Sequence, residues 1–387
     1  MKEKAIQHQS LKEYGFVMRS IYEVCETVTD YVAAGSFADL KKNVEYLSEP
    51  NYAQLIRTVD LKSGFLKGNF VYVNKKAFDY LWRVNLNCES IILPNIGNCG
   101  EVYYVVPEKL PYKNNVLATN AILVRSLKES NKYLFYIFQS KHFQDELKKI
   151  TSPVGQTKFN KTELKNICIP IPSRKVQEEI VKILDSFTNL IDALNEELSL
   201  RQKQFEYYRE KLLTFDEEPT SIFKFTKVLR GKRLTTKELS DNAKYPVYHG
   251  GTEPIGYYNE YNRDENTVMV INVGASAGTI GFCNQAFWSS DGCYCLSHNQ
   301  KIDNKFLYYS LLIREYKIKS QVRYAGIPTL DQKVIENIQL FIPSLAIQQS
   351  IVEKLDAFES LIASLKEEIA LRQKQYEYYR EKLLTFD

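Results

Sequence analysis

Cys283, Cys293, Cys295 and His298 are residue types that hold zinc. Structural zinc sites usually take paired thiolates from a Cys-x-x-Cys loop that turns both sulfurs towards one tetrahedral ion. The pair here is Cys-x-Cys, which in an extended strand puts both thiols on one face of a sheet. Buried structural thiols are therefore the expectation, and no metal site is assigned. Just upstream, Gly274-Ala275-Ser276-Ala277-Gly278-Thr279-Ile280-Gly281 has the glycine content of a phosphate cradle. It lacks both a Gly-Lys-Ser/Thr ending and Gly-x-Gly-x-x-Gly spacing, so it reads as a tight turn between two strands. Such a turn, free of bulky side chains, also lets a backbone approach another surface closely. The chain has four histidines and no Ser-His-Asp or Cys-His set stands out; it contains no Pro-Pro, hence no Asn/Asp-Pro-Pro-Tyr/Phe motif of amino-methyltransferases. No catalytic residue and no cofactor is assigned.

What remains is basic and polar chemistry. Lys and Arg number 51 against 47 Asp and Glu, for a formal net charge of +4. Residues 173–216 carry 7 basic against 9 acidic side chains, and residues 343–387 carry 6 against 8. Those two stretches together stand at −4, which leaves +8 on the other 298 residues. The basic excess is compatible with a polyanion partner for those other parts, and equally with an ordinary surface. Seven cysteines in a long chain read as buried cytosolic thiols. No run of about 18 apolar residues occurs, and Met1-Lys2-Glu3-Lys4 leads into no apolar core, so a secretory signal is not expected. The expectation is a cytoplasmic protein without a membrane partner.

The elements that position this chemistry are set by a repeat. Residues 201–216 recur as 372–387 with a single change, Phe205 to Tyr376. The offset holds back to Pro172 and Pro343, with 29 identities over 45 aligned positions. Inside each copy, Ile180, Leu184, Phe187, Ile191, Leu194, Leu198, Arg201, Phe205, Tyr208, Leu212 and Phe215 step by four and three. Ile351, Leu355, Phe358, Ile362, Leu365, Ile369, Arg372, Tyr376, Tyr379, Leu383 and Phe386 do the same. That is a heptad seam on a helix opened by Ser173 as N-cap, roughly 66 Å long at about 1.5 Å per residue. Short connections favour antiparallel pairing of the two helices. Arg201 and Arg372 interrupt the seam at matching places, candidates for fixing register with Glu196, Glu197, Glu367 or Glu368.

The expected domains are 1–172, a helical repeat 173–216, a second globular part 217–342 and a second helical repeat 343–387. In the first part, residues 11–49 read as turn and helix, with strands at Phe70–Val73, Ile91–Leu93, Val102–Val106 and Ala121–Val124, and a helix over Asn131–Ile150. It closes on a short strand at 164–172. In the second part, strands are expected at Tyr245–Tyr248, Gly256–Tyr258, Thr267–Val273 and 338–343, with a helix from Asn304 to about Val322. The two parts share a skeleton: Ile92 to Val102 aligns with Val270 to Ile280 through a one-residue insertion, and Gly155 with Gly326. The fold class is α+β, two globular parts separated by two long helices in an antiparallel coiled coil with an internal pseudo-two-fold repeat.

These features resemble the specificity subunits of type I restriction-modification enzymes. The resemblance rests on the helical repeats, on Asn166-Ile167 leading to Ile-Pro-Ser at 171–173 and Asn337-Ile338 to 342–344, on Gln177 and Gln348 four residues after each serine, and on Tyr245-Pro-Val-Tyr248 with Gly256-Tyr-Tyr258. It covers essentially the whole chain; the first part lacks a Tyr-Pro-Val-Tyr counterpart. The resemblance implies two target recognition domains, each reading half of an asymmetric bipartite site in double-stranded DNA. The helices would be the spacer and the dock for two methyltransferase subunits, which bind S-adenosylmethionine; restriction subunits would join a larger complex. The chain itself would be non-catalytic. DNA contacts are expected from Lys62, Lys67, Asn69, Asn95, Asn98, Lys158 and Lys161 in the first part, and from Arg230, Lys232, Arg233, His249, Tyr257, Ser276, Arg323 and Thr329 in the second. The repeated exposed positions Gln202, Lys203, Glu206 and Arg209, with Gln373, Lys374, Glu377 and Arg380, are expected to face the methyltransferases. A reading from another class, a scaffold whose coiled coil carries two protein-binding domains, fits the same elements.

Overall fold

A computed structural model describes residues 11–66, 68–152, 155–215 and 218–385. Lys67, Asp216, Phe386 and Asp387 lie outside the described residues. The chain divides into two compact units, Met1–Ala193 with Ile369–Asp387, and Leu194–Glu368. Each unit thus takes its helices from both copies of the repeat.

In the first unit an antiparallel sheet runs in the order Thr27–Asp30, Ala121–Arg125, Ser90–Pro94, Tyr103–Val105. Its strands alternate between two cores. Ile91, Leu93, Ile122 and Val124 face one core with the helix Asn131–Gln139, while Ile92, Ala121 and Leu123 face another. Burial on both faces explains why these strands read as continuous apolar runs. The second core is closed by a three-stranded sheet in which Ala53–Ile56 pairs antiparallel with Val71–Val73 and parallel with Asn115–Leu117.

The second unit repeats the plan. Its four-stranded sheet is Val228–Leu229, Cys293–Leu296, Thr267–Ile271, Ile280–Cys283. Val268, Val270, Tyr294 and Leu296 enter one core; Met269, Ile271, Cys293 and Cys295 enter another. Tyr245–Tyr248 pairs antiparallel with Gly256–Tyr258 and parallel with Trp288–Ser289. The Cys-x-Cys pair therefore shares one buried sheet face, together with Cys283. His298 is exposed, and its Nε2 lies 2.9 Å from Thr267 Oγ1.

Two 40-residue helices, Arg174–Leu213 and Leu345–Leu384, carry the heptad seam. In the first unit Phe187 stacks on Tyr379 with ring centroids 5.4 Å apart, and Ile180 and Leu184 share a core with Tyr376 and Leu383. In the second unit Tyr208 stacks on Phe358 at 5.5 Å, and Leu213 shares a core with Ile351 and Leu355. Within the first unit, Phe187 meets Tyr379 while the earlier Ile180 and Ile183 line one groove with the later Leu383, so the paired helical segments run antiparallel. Arg201 is half-exposed, and its guanidinium meets Glu197 at 3.3 Å and Gln204 at 3.0 Å on its own helix. Those partners are local, one helical turn away. Among the described residues, no helix is long and apolar enough to cross a membrane.

Several expectations are corrected. Residues 11–49 contain the strands Phe16–Ser20 and Thr27–Asp30, whose partners Cys168–Pro172 and Ala121–Arg125 lie far along the chain. The helix expected over Asn131–Ile150 is two helices, Asn131–Gln139 and Lys141–Ile150. Ser140 breaks it: its backbone is extended, and its hydroxyl accepts from Phe143 N to cap the second helix. The helix begun at Asn304 likewise stops at Leu312 and resumes at Glu315–Lys319. Residues expected at the start of the closing strand of the first part form the end of a short helix, Lys161–Asn166.

Candidate DNA interface and partner surface

In the second unit the glycine turn connects Thr267–Ile271 to Ile280–Cys283. Gly278 has φ of +87°, and a Cβ there would come within 2.9 Å of Lys319 Cγ, so glycine suits the position on both counts. Val273 pairs with Thr329, Arg323 pairs with Thr329, and Gly274 N donates to Pro328 O at 2.9 Å. This brings Ser276, Arg323 and Thr329 onto adjoining loops. His249 joins them through Gly292, whose amide donates to His249 Nδ1 at 3.1 Å while Asp291 lies 3.2 Å from the same nitrogen.

Arg230, Lys232 and Arg233 lie on a strap that presses on the strand carrying Trp288. Lys232 N donates to Ser289 O at 2.9 Å, and Trp288 Nε1 donates to Lys232 O at 2.7 Å. A Cβ on Gly231 would sit 1.8 Å from Ser290 O, so only glycine allows this approach. Arg230, Lys232 and Arg233 are exposed, and Arg230 Nε donates to Gln332 Oε1 at 3.0 Å. Tyr257 sits on the neighbouring Gly256–Tyr258 strand, opposite Pro246. The eight candidates of this unit thus fall on the Trp288 strap, the glycine turn, the 323–329 loop, the His249 loop and one flanking strand.

The first unit builds the same frame from different residues. Ile96 pairs with Lys158 as Val273 pairs with Thr329, and Gly97 N donates to Thr157 O at 2.8 Å. Asn95, Asn98 and Lys158 therefore share one surface. Asn95 Nδ2 donates to Phe159 O at 3.3 Å. Lys62 reaches this loop through Glu101, 2.6 Å from its ammonium. Burial pushes the Glu101 carboxyl up, but hydrogen bonds from Lys62 and Tyr103 outweigh it and leave it below its ordinary value. Asn69 is exposed, while its carbonyl accepts from Arg57 at 2.9 Å. Lys161 differs: its ammonium is held 2.8 Å from Asp30, a residue that lines the same groove as Asn95, so its charge is already paired. Alongside Asn95 and Ile96 runs a groove with Phe37, Tyr46, Lys41, Thr119 and Asn120, none of them among the sequence candidates.

On the helices, Gln202, Lys203, Glu206, Gln373, Lys374 and Glu377 are exposed. Arg209 and Arg380 are half-buried, lying 5.3 Å and 5.5 Å over the rings of Phe205 and Tyr376. Sequence reasoning missed the larger feature: Leu200 and Leu371 are each 58% exposed, and Tyr207 and Tyr378 are 58% and 62% exposed. The signal was available, since all four lie off the seam at matching places in the two copies.

The sequence profile of the type I restriction modification DNA specificity domain matches this chain twice, over residues 15–200 and 220–371. The chain belongs to this family. A putative type I restriction enzyme specificity subunit of Haemophilus influenzae is 33% identical over 300 residues, 70% of this chain and 76% of the relative. A putative type I specificity subunit of Mycoplasma pneumoniae is 32% identical over 244 residues, 58% of this chain and 88% of its own. In fold, the chain is similar to the S subunit of a type I restriction-modification system from M. genitalium, with a TM-score of 0.64 and 17% identity over 96% of each chain. The two matched segments are the two specificity domains of one type I specificity protein, whose role is DNA recognition.

Proposed function

We infer that each globular unit reads one half of an asymmetric bipartite DNA site and that the paired helices set the distance between the halves. The observation that carries this reading is the duplicated specificity domain on one repeated frame. The loop pair at Ile96–Lys158 recurs at Val273–Thr329, while the exposed residues on the two loops differ. One frame with two surfaces suits two different half-sites. In this reading phosphate contacts fall to Arg230, Lys232, Arg233 and Arg323 in the second unit and to Lys158 in the first, and base-edge contacts to Ser276, His249 and Thr329, with Asn95 and Asn98. The exposed Leu200–Tyr207 and Leu371–Tyr378 faces, flanked by Lys203 and Lys374, are the docks for two methyltransferase subunits. Two equivalent copies of one partner account for the repetition of exposed side chains that the seam does not need. In this reading the chain is non-catalytic and cytoplasmic, the methyltransferases carry S-adenosylmethionine, and restriction subunits complete the assembly.

The test is co-purification from the native host followed by genome-wide mapping of methylated adenine. A methyltransferase bound to this chain and one modified bipartite motif are expected. A chain that retains no methyltransferase, or a complex that modifies no bipartite motif, would sink the reading.

A further inference from the structure

Tyr309 donates a 2.5 Å hydrogen bond to Asp356 on the second long helix, and Lys305 lies 3.6 Å from the same carboxylate and donates to Glu359 at 3.3 Å. The Lys305 ammonium also sits 4.8 Å over Phe282 and 5.3 Å over both Tyr308 and Tyr309. The first unit contains the same lysine, tyrosine and aspartate, with Thr188 at the place of Glu359. Tyr136 donates to Asp185, Lys132 lies 3.3 Å from that carboxylate, and its ammonium is 4.8 Å over Tyr104. About two helical turns before each aspartate, a wholly buried glutamine holds the turn that opens the same domain helix. Gln348 Oε1 accepts from Asp303 N at 2.7 Å, and Gln177 Oε1 accepts from Ser130 N at 3.0 Å.

Each globular part is therefore fixed to its helix at two points, eight residues and about 12 Å apart along the axis. Much of the remaining packing of domain on helix is apolar, and apolar burial has no direction of its own. Directional bonds at two points remove the rotation and sliding that apolar packing alone permits. The tyrosine–aspartate bond and the glutamine contact recur in both units, although Lys305 also meets Glu359 where the first unit has Thr188, and the loops that would face DNA differ, so the shared contacts do not depend on the target.

We propose that the Lys132–Tyr136–Asp185 and Lys305–Tyr309–Asp356 clusters are positioning residues that lock each recognition domain at one angle to its helix, and so hold the complex to a single half-site spacing. The proposal rests on the bipartite reading above. Its test uses the complete methyltransferase complex and measures methylation of DNA duplexes with the mapped spacer and with one base pair more or fewer. Tyr309→Phe removes one oxygen, Asp356→Asn keeps the side-chain shape, and Lys305→Arg keeps the charge. In the first two, the preference for the mapped spacer over its neighbours should fall about tenfold, with the two half-site sequences unchanged; Lys305→Arg should retain it. Melting of each variant is followed, and methylation is compared at a temperature where all are folded. An unchanged preference in either folded variant, or equal loss of methylation at every spacer, overturns the clamp. A wild-type complex with no bipartite motif instead overturns the reading beneath it.

Discussion

Gln348 Oε1 accepts a hydrogen bond from Asp303 N while its Nε2 donates to Pro343 O at 2.8 Å and to Lys301 O at 3.2 Å. One wholly buried amide thus satisfies three backbone groups at the entry to a long helix. Gln348→Ala leaves them without partners. The expected cost is about 1–3 kcal/mol of stability, read as a lowered urea midpoint for the second unit. Gln177→Ala should cost the first unit a similar amount; no shift for either would mean that water replaces the amide.

Gly231 is the point at which the basic strap touches the Trp288 strand. Gly231→Ala places a methyl against Ser290 O and should lift the strap, breaking the bond from Trp288 Nε1 to Lys232 O. The chain has two tryptophans, so emission of Trp288 can be isolated in a Trp82→Phe background. A red shift together with weaker DNA binding by the assembled complex is expected; a red shift with binding unchanged would remove the strap from the interface.

Lys158 and Lys161 stand three residues apart and are predicted to behave differently. Lys158 is exposed beside the Gly97 loop, whereas Lys161 is engaged by Asp30. Lys158→Ala should weaken binding to all sequences and lower the slope of log affinity against log salt by about one. Lys161→Ala should leave that slope alone. Equal slopes for both variants would remove Lys158 from the contact set.

The ion pair of Lys62 with Glu101 gives a pH dependence whose sign follows from the carboxylate. Burial raises the Glu101 pKa, the hydrogen bonds from Lys62 and Tyr103 outweigh it, and the folded value is depressed. Such a group adds stability above its unfolded pKa and loses it as pH falls through the folded one. Lys62→Met should therefore be less stable than wild type at neutral pH, with the two urea midpoints converging as pH falls through the depressed folded value. A gap that persists in acid would assign the loss to packing of the lysine stem.

Leu200 and Tyr207, and Leu371 and Tyr378, are large apolar side chains left in solvent by the helix pair. Tyr207→Ser and Tyr378→Ser should each weaken methyltransferase retention by about 2 kcal/mol or more, read by titration of the purified partner. Melting of the free chain should not change. Retention equal to wild type in the double variant would move the dock elsewhere.

The amino-acid sequence by itself determined the two long helices, their seam and their duplication, because heptad spacing and internal repetition are linear properties. It also determined the family, and the strands whose two faces are both buried, because these appear as continuous apolar runs. Beyond the pairing of the two helices, the sequence did not reveal contacts between distant residues. Thr27–Asp30 is a strand because Ala121–Arg125 lies beside it, and Ser140 breaks a helix because its hydroxyl caps the next one. Lys158 and Lys161 look alike in the sequence, and only the position of Asp30 separates them. The clamp was legible in part: Asn-Lys, then an aromatic, Leu, an aromatic and Tyr occur at 131–136 and again at 304–309. That Tyr136 and Tyr309 meet Asp185 and Asp356 was decided by tertiary structure, since side-chain partners depend on how sheets and helices bring remote residues within hydrogen-bond reach.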